Sequence, residues 1–196
     1  IDTAGIRRRG KVDPGVEKFS VVRSMRAIER CDVALLMIDA VEGITAQDAH
    51  IAGYVKDEWK STVVIVNKWD AIEKDNYTML QFTDRIRQEL NFMDYVPLLF
   101  ISAKTGQRVD QVLPVALQVQ EERLAHVTTG SLNRILQKAQ GLHSPTSRTG
   151  TNIKLFYGTQ VRTDPPTFMI YCNNPQLAHF TYLRFLENQI RKEYPF

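Results

Sequence analysis

The stretch Val63-Val64-Ile65-Val66-Asn67-Lys68-Trp69-Asp70 decides the fold. Four β-branched aliphatic residues in a row leave no polar side, so a strand here is buried on both faces, as strands are in a parallel sheet covered by helices. Two further runs have the same form. Val33 to Ile38 ends at Asp39, and Leu98 to Ile101 ends at Ser102. Helical periodicity fills the intervals: Val21, Met25 and Ile28 precede the first run, and a helix covers Thr78 to Leu90. Thr45 with Asp48 is a capping box, behind which Ile51, Ala52, Val55 and Trp59 line one face. Val109, Val112, Leu113, Ala116 and Leu117 make a last stripe, whose helix must start near Asp110 to keep Pro114 in its first turn. Strand and helix in alternation give a doubly wound α/β domain over residues 1–126.

From Val127 the pattern changes. Leu132, Ile135, Leu136 and Ala139 mark a short helix, and 141–150 is a loop rich in Ser, Thr and Gly. Two strands, Ile153 to Val161 and Thr167 to Tyr171, flank the turn Arg162-Thr163-Asp164-Pro165-Pro166. Phe180, Leu183, Leu186 and Ile190 mark a closing helix, so residues 127–196 read as a small α+β domain. Charge divides along the same line. Residues 1–130 carry 17 Lys/Arg against 19 Asp/Glu, a net of −2, while 131–196 carry 8 against 3, a net of +5. A basic C-terminal third suits a polyanionic partner, or is a solvated surface. No apolar run approaches the roughly 18 residues of a membrane span. Cys31 and Cys172, set in apolar segments, read as reduced core residues of a cytosolic protein.

Three motifs follow the carboxyl ends of strands, where open α/β sheets bind ligands. In Asp2-Thr3-Ala4-Gly5 an aspartate can hold Mg2+ through water, and Gly5 lets a backbone N–H approach a γ-phosphate. In Asn67-Lys68-Trp69-Asp70 the Asp70 carboxylate can accept from N1–H and N2–H2 of guanine, a pair that adenine lacks. Asn67 can tie neighbouring loops together, and Lys68 can lay its stem over the ring. In Ser102-Ala103-Lys104 backbone N–H groups can donate to guanine O6, with Lys104 over the other face. Each motif alone also fits a polar strand end; their order behind three sheet-type runs is what makes them specific.

On these residues the chain resembles a Ras-like, translation-factor-class GTPase, with Asp2–Gly5, Asn67–Asp70 and Ser102–Lys104 matching the third, fourth and fifth family motifs. The opening Asp2-Thr3-Ala4-Gly5-Ile6-Arg7-Arg8-Arg9, together with Thr151 to Leu155, Pro165 to Phe168 and Leu186 to Gln189, is similar to the Der (EngA) family of tandem-domain GTPases. The resemblance implies the later part of a second GTPase domain and then a KH-like domain. It also implies GTP and GDP with Mg2+, a K+ ion near the phosphates, and a role in assembly of the large ribosomal subunit in the cytoplasm. The partners would be ribosomal RNA and the preceding GTPase domain of the same chain.

The chain departs from that pattern in three ways. No G-x-x-x-x-G-K-[S/T] occurs, so the sheet is expected to be incomplete at its P-loop end, and the segment alone to bind guanine nucleotide poorly and hydrolyse none. A final KH-like strand is expected beyond Phe196. Ile6 stands where many relatives of Ras place a water-orienting glutamine. The second switch, Asp2 to about Arg30, carries Arg7, Arg8, Arg9 and Lys11 and is expected to be disordered without nucleotide. No G-x-x-G follows Val127, so a KH-type backbone clamp is missing. His143, Arg148, Arg184, Arg191 and Lys192 are the phosphate-contact candidates. Phe156, Tyr157, Phe168 and Tyr171 read first as core residues and second as base-stacking ones. The scattered histidines show no metal-ligand spacing. The rival reading is a module that docks on RNA or a domain without nucleotide chemistry of its own.

Overall fold

A computed structural model describes residues 23–145 and 152–195. After a helical segment at 23–30 (α1) come β1 (Val33–Asp39), α2 (Ala46–Asp57), β2 (Ser61–Asn67), α3 (Thr78–Glu89), β3 (Leu98–Phe100) and α4 (Val112–Arg123). The three strands form a parallel sheet in the order β1-β2-β3, with Asp39 level with Asn67 and Val66 level with Phe100. β2 is the central strand, and every residue from Ser61 to Val66 is buried. Side chains alternate across a strand, so β2 feeds two cores. Val64 and Val66 join Leu36, Ile38, Phe100, Ala52 of α2, Ile86 of α3 and Trp69 on one side. Val63 and Ile65 join Ile101 and Val119 of α4 on the other, with Val112 and Val115 packed against them.

The expected capping box is present: Thr45 Oγ1 accepts from the Asp48 N–H while the Asp48 carboxylate accepts from the Thr45 N–H at 2.8 Å. Three details of the α/β unit differ from expectation. β1 is not buried on both faces, because Leu35 and Met37 are 43% and 53% exposed on the α4 side of the sheet. Trp59 lies past the end of α2, exposed, with φ 56°. Finally, α4 is turned so that Val112, Val115 and Val119 face the sheet while Val109, Leu113 and Leu117 point outward. Residues 112–117 are apolar all round, so periodicity cannot fix the phase there; the sheet fixes it by burying the β-branched row.

The chain divides into two compact units inside α4, between Gln120 and Glu121. The second unit contains α5 (Thr129–Leu142), an antiparallel hairpin of β4 (Leu155–Arg162) and β5 (Thr167–Cys172), and α6 (Phe180–Glu193). Leu132, Ile135, Leu136 and Ala139, the four expected positions of α5, are buried together with Ile153, Tyr182, Leu186 and Ile190. On α6 the buried row is Tyr182, Leu186 and Ile190, and Phe180 and Leu183 are exposed instead of core. β4 presses directly on α5 at Gly158, where an added Cβ would lie 2.5 Å from Leu136 Cδ1. The Asn133 amide donates to the Gly158 carbonyl at 3.1 Å and accepts from its N–H at 2.9 Å, which satisfies the outer backbone edge of β4.

The hairpin aromatics overturn the core reading. The register slips between Leu155 and Tyr157, so Phe156 is an extra residue on β4. Both it and Tyr157 point away from the helices. Phe156, Tyr157 and Tyr171 are exposed, and of the four only Phe168 packs partly against the core.

Candidate functional site

The carboxyl ends of β1, β2 and β3 bring their polar turns together. After Asn67 the chain turns through Lys68 in the left-handed region (φ 62°) into a short 3-10 turn, Trp69–Ala71. Trp69 is the anchor of that turn. Its ring is buried against Phe100 and Phe82, at 4.6 and 5.2 Å between centroids, and the Trp69 backbone N–H donates to the Ile101 carbonyl at 3.0 Å. Fixing Trp69 in the core holds its neighbours Lys68 and Asp70 at the surface.

Asp70 meets the third motif directly. The Ser102 hydroxyl donates to Asp70 Oδ1 at 2.6 Å, and the Ala103 N–H donates to Asn67 Oδ1 at 3.0 Å. Ser102 is fully buried, and its Oγ also accepts from the Thr105 N–H at 3.1 Å. Ser102 therefore orients Asp70 while closing its own turn. The same hydrogen bond holds the Asp70 carboxyl below the usual carboxylate range, helped by Lys104 and Lys74 and opposed by desolvation. Asp70 is an anion at neutral pH, half-exposed beside the turn.

Lys68 makes a contact that motif reading misses: its ammonium pairs with the carboxylate of Asp39 at the end of β1. Asp39 is itself fixed, since Oδ1 accepts from the Val41 N–H at 2.9 Å and its carbonyl accepts from Gly43 N–H at 2.8 Å. Lys68 lowers the Asp39 pKa and Asp39 raises that of Lys68. The available signal was positional, for Asp39 ends an apolar run as Asn67 does and lies level with it in the sheet.

The structure thus brings Asn67, Lys68, Asp70, Ser102 and Ala103 into one cluster, with Lys104 exposed beside it. Asp2, Gly5, the basic Arg7–Lys11 run and Arg148 lie outside the described residues. In the second unit His143 caps α5 and packs its ring on Tyr182 and Phe185. Arg184 is exposed, Lys192 reaches Gln189 at 3.4 Å, and Arg191 already forks onto Glu187. Among the described residues no His, Cys, Asp or Glu group could hold a metal ion, and no helix is long and apolar enough to cross a membrane.

Residues 12–122 match the profile of the Elongation factor Tu GTP binding domain, and residues 126–196 that of the KH-domain-like C-terminal part of EngA bacterial GTPase enzymes. Fold and site therefore define a translation-factor-class GTP-binding domain followed by a KH-like domain. The chain belongs to the Der (EngA) family of GTPases: it is 50% identical over 196 residues to GTPase Der of Caldanaerobacter subterraneus, and 47% identical over 197 residues to that of Chloroflexus aggregans. The whole chain is matched in both, but it spans only 45% and 44% of those relatives' lengths. Among solved structures it is similar to Era in complex with MgGDPNP and nucleotides of 16S ribosomal RNA. That match has a TM-score of 0.52 at 22% identity, over 98% of this chain and 69% of that one. A GTP-binding protein, engB, aligns with TM-score 0.51 at 21% identity, over 62% of this chain and 77% of that one. These two likenesses are of fold.

Proposed function

We propose that the whole protein is a GTP-binding, GTP-hydrolysing switch of the cytoplasm that acts in assembly of the large ribosomal subunit, and that this chain supplies its guanine-reading half and an RNA-contacting module. The observation that carries the reading is the Asp70 carboxylate, held by Ser102 at the sheet's edge. Each carboxylate oxygen has two acceptor positions, so Asp70 keeps capacity for N1–H and N2–H2 of guanine after serving Ser102. The N–H groups of Ser102, Ala103 and Thr105 are engaged by Gln107, Asn67 and Ser102. That leaves the Lys104 N–H as this turn's donor to O6. The stems of Lys68 and Lys104 cover the two faces of the ring. Mg2+ and the γ-phosphate fall to Asp2 and Gly5, with K+ beside the phosphates. When bound, these cations neutralise phosphate charge.

The test is Asp70→Asn in the complete protein. An amide offers N2–H2 no second acceptor but can donate to the extra oxygen of xanthine. GDP affinity is expected to fall at least about tenfold while the xanthine nucleotide gains. Unchanged preference for guanine over xanthine overturns the reading. The ribosomal part is tested by co-sedimentation with large subunits in GTP and GDP. If nucleotide makes no difference, the protein is a docking module and not a switch. Ribosomal RNA would meet His143, Arg148, Arg184, Arg191 and Lys192, and the other partner is the preceding GTPase domain of the same chain.

A further inference from the structure

We propose that the outer face of the β4–β5 hairpin is a platform on which unpaired RNA bases stack; this rests on the RNA-contacting reading of the second unit and names the surface and the kind of RNA. The face away from α5 and α6 carries Tyr157 and Thr159 on β4, level with Tyr171 and Met169 on β5, and Val161 stands beside them at a second register slip, between Gln160 and Arg162. Tyr157, Val161, Met169 and Tyr171 are 44–52% exposed, and the extra residue Phe156 is 66% exposed at the rim. Contiguous exposed apolar surface of this kind marks a contact site.

Two observations choose nucleic acid over a protein partner. The rings of Tyr157 and Tyr171 are cross-strand neighbours with centroids 6.0 Å apart, open on their outer sides, as a base-stacking pair requires. The charge around them is also one-sided. The three carboxylates of residues 131–196 are each neutralised: Asp164 by Arg123, Glu187 by Arg191, and Glu193 by Arg134 and Lys138. Lys154 and Arg162, exposed at the two ends of β4, keep their positive charge for phosphates. A backbone clamp needs a G-x-x-G loop that this chain lacks, whereas stacking on a sheet needs only the aromatic face. Stacking reads π-faces, so the platform takes single strands with little sequence preference and leaves duplex RNA alone.

The experiment measures binding of a fluorescent single-stranded oligouridylate, and of an RNA duplex of equal length, to the complete protein. Tyr157→Ala with Tyr171→Ala is expected to weaken oligouridylate binding roughly tenfold to several hundredfold, while the paired phenylalanine substitutions keep it. GDP affinity and the circular dichroism spectrum of the alanine variant should match the wild type. Lys154→Gln with Arg162→Gln should reduce the slope of log affinity against log salt by about one to two. Wild-type affinity in the alanine variant overturns the proposal, as does equal affinity for the duplex. Loss of a concentration-dependent dimer in place of RNA binding makes the face a protein contact and also overturns it. A wild type that binds neither RNA sinks the RNA-contacting reading itself.

Discussion

Lys68 occupies the left-handed backbone region between a buried strand and a buried tryptophan, so its main chain has nowhere to go. Its four-carbon side chain is another matter, and Asp39 is what restrains it. The pair is solvent-exposed enough that its own strength is small. Its consequence is positional: the ammonium is drawn toward β1, which lays the alkyl stem along the site. Asp39→Asn is expected to weaken guanine nucleotide binding about two- to fivefold in the complete protein and to have no further effect in a Lys68→Met background. Additive losses in the double variant would show that Asp39 acts on the fold and not through Lys68. The sign of the pH effect follows from the depressed pKa values of Asp39 and Asp70. Carboxylates held below the ordinary value of about 3.9 stabilise the folded state above that pH, and the contribution is lost as pH falls through the lower, folded value. Acid unfolding followed by tryptophan fluorescence should therefore shift to higher pH in Asp39→Asn. At this scale the motif residues were legible, because hydrogen-bonding chemistry restricts what Asp, Asn and Ser do after a strand. Asp39 was not, since its role depends on a neighbouring strand in space.

Elements were legible where one rule governed them. Thr45 and Asp48 satisfy each other's N–H groups in the α2 capping box, and Thr45→Ala should cost about 1 kcal/mol, or roughly 2–4 °C in thermal midpoint, read by calorimetry. α5 was equally plain, because its four apolar positions share one face with polar residues between them. Its Asn133 carries a less visible task, sealing the backbone of β4 at Gly158. Asn133→Ala leaves that N–H and carbonyl to find water beside a helix, and should destabilise the second unit by about 1–3 kcal/mol in urea unfolding. Where two rules competed, periodicity failed. The start of α4 is apolar on all sides, and the slip at Phe156 shifts the alternation of β4, so tertiary contacts chose the faces.

The chain joins a slightly acidic GTP-binding-type unit to a basic KH-like one, and each leaves apolar surface in solvent. In the first unit Leu35 and Met37 of β1 and Leu113 and Leu117 of α4 are between 43% and 70% exposed. Leu35 and Met37 lie on the α4 side of the sheet but outside the core that Val63, Ile65, Ile101 and Val119 form there with Val33 and Leu99. Scattered exposed leucines need no account, but two rows on one side of a sheet do. Lysine at Leu113 and Leu117 removes apolar area without disturbing the Val112, Val115 and Val119 row. The concentration at which the 196-residue chain self-associates, followed by light scattering, should then rise, and binding of a hydrophobic dye should fall. The thermal midpoint should stay within about 2 °C of wild type, as for substitutions on a surface. In a longer protein, where the chain makes up about 45% of a relative's length, the same two lysines are a sharper probe. A fall of several degrees there, absent from the shorter chain, would show that the α4 face carries intramolecular packing. An unchanged midpoint in both would make it a surface free for other molecules.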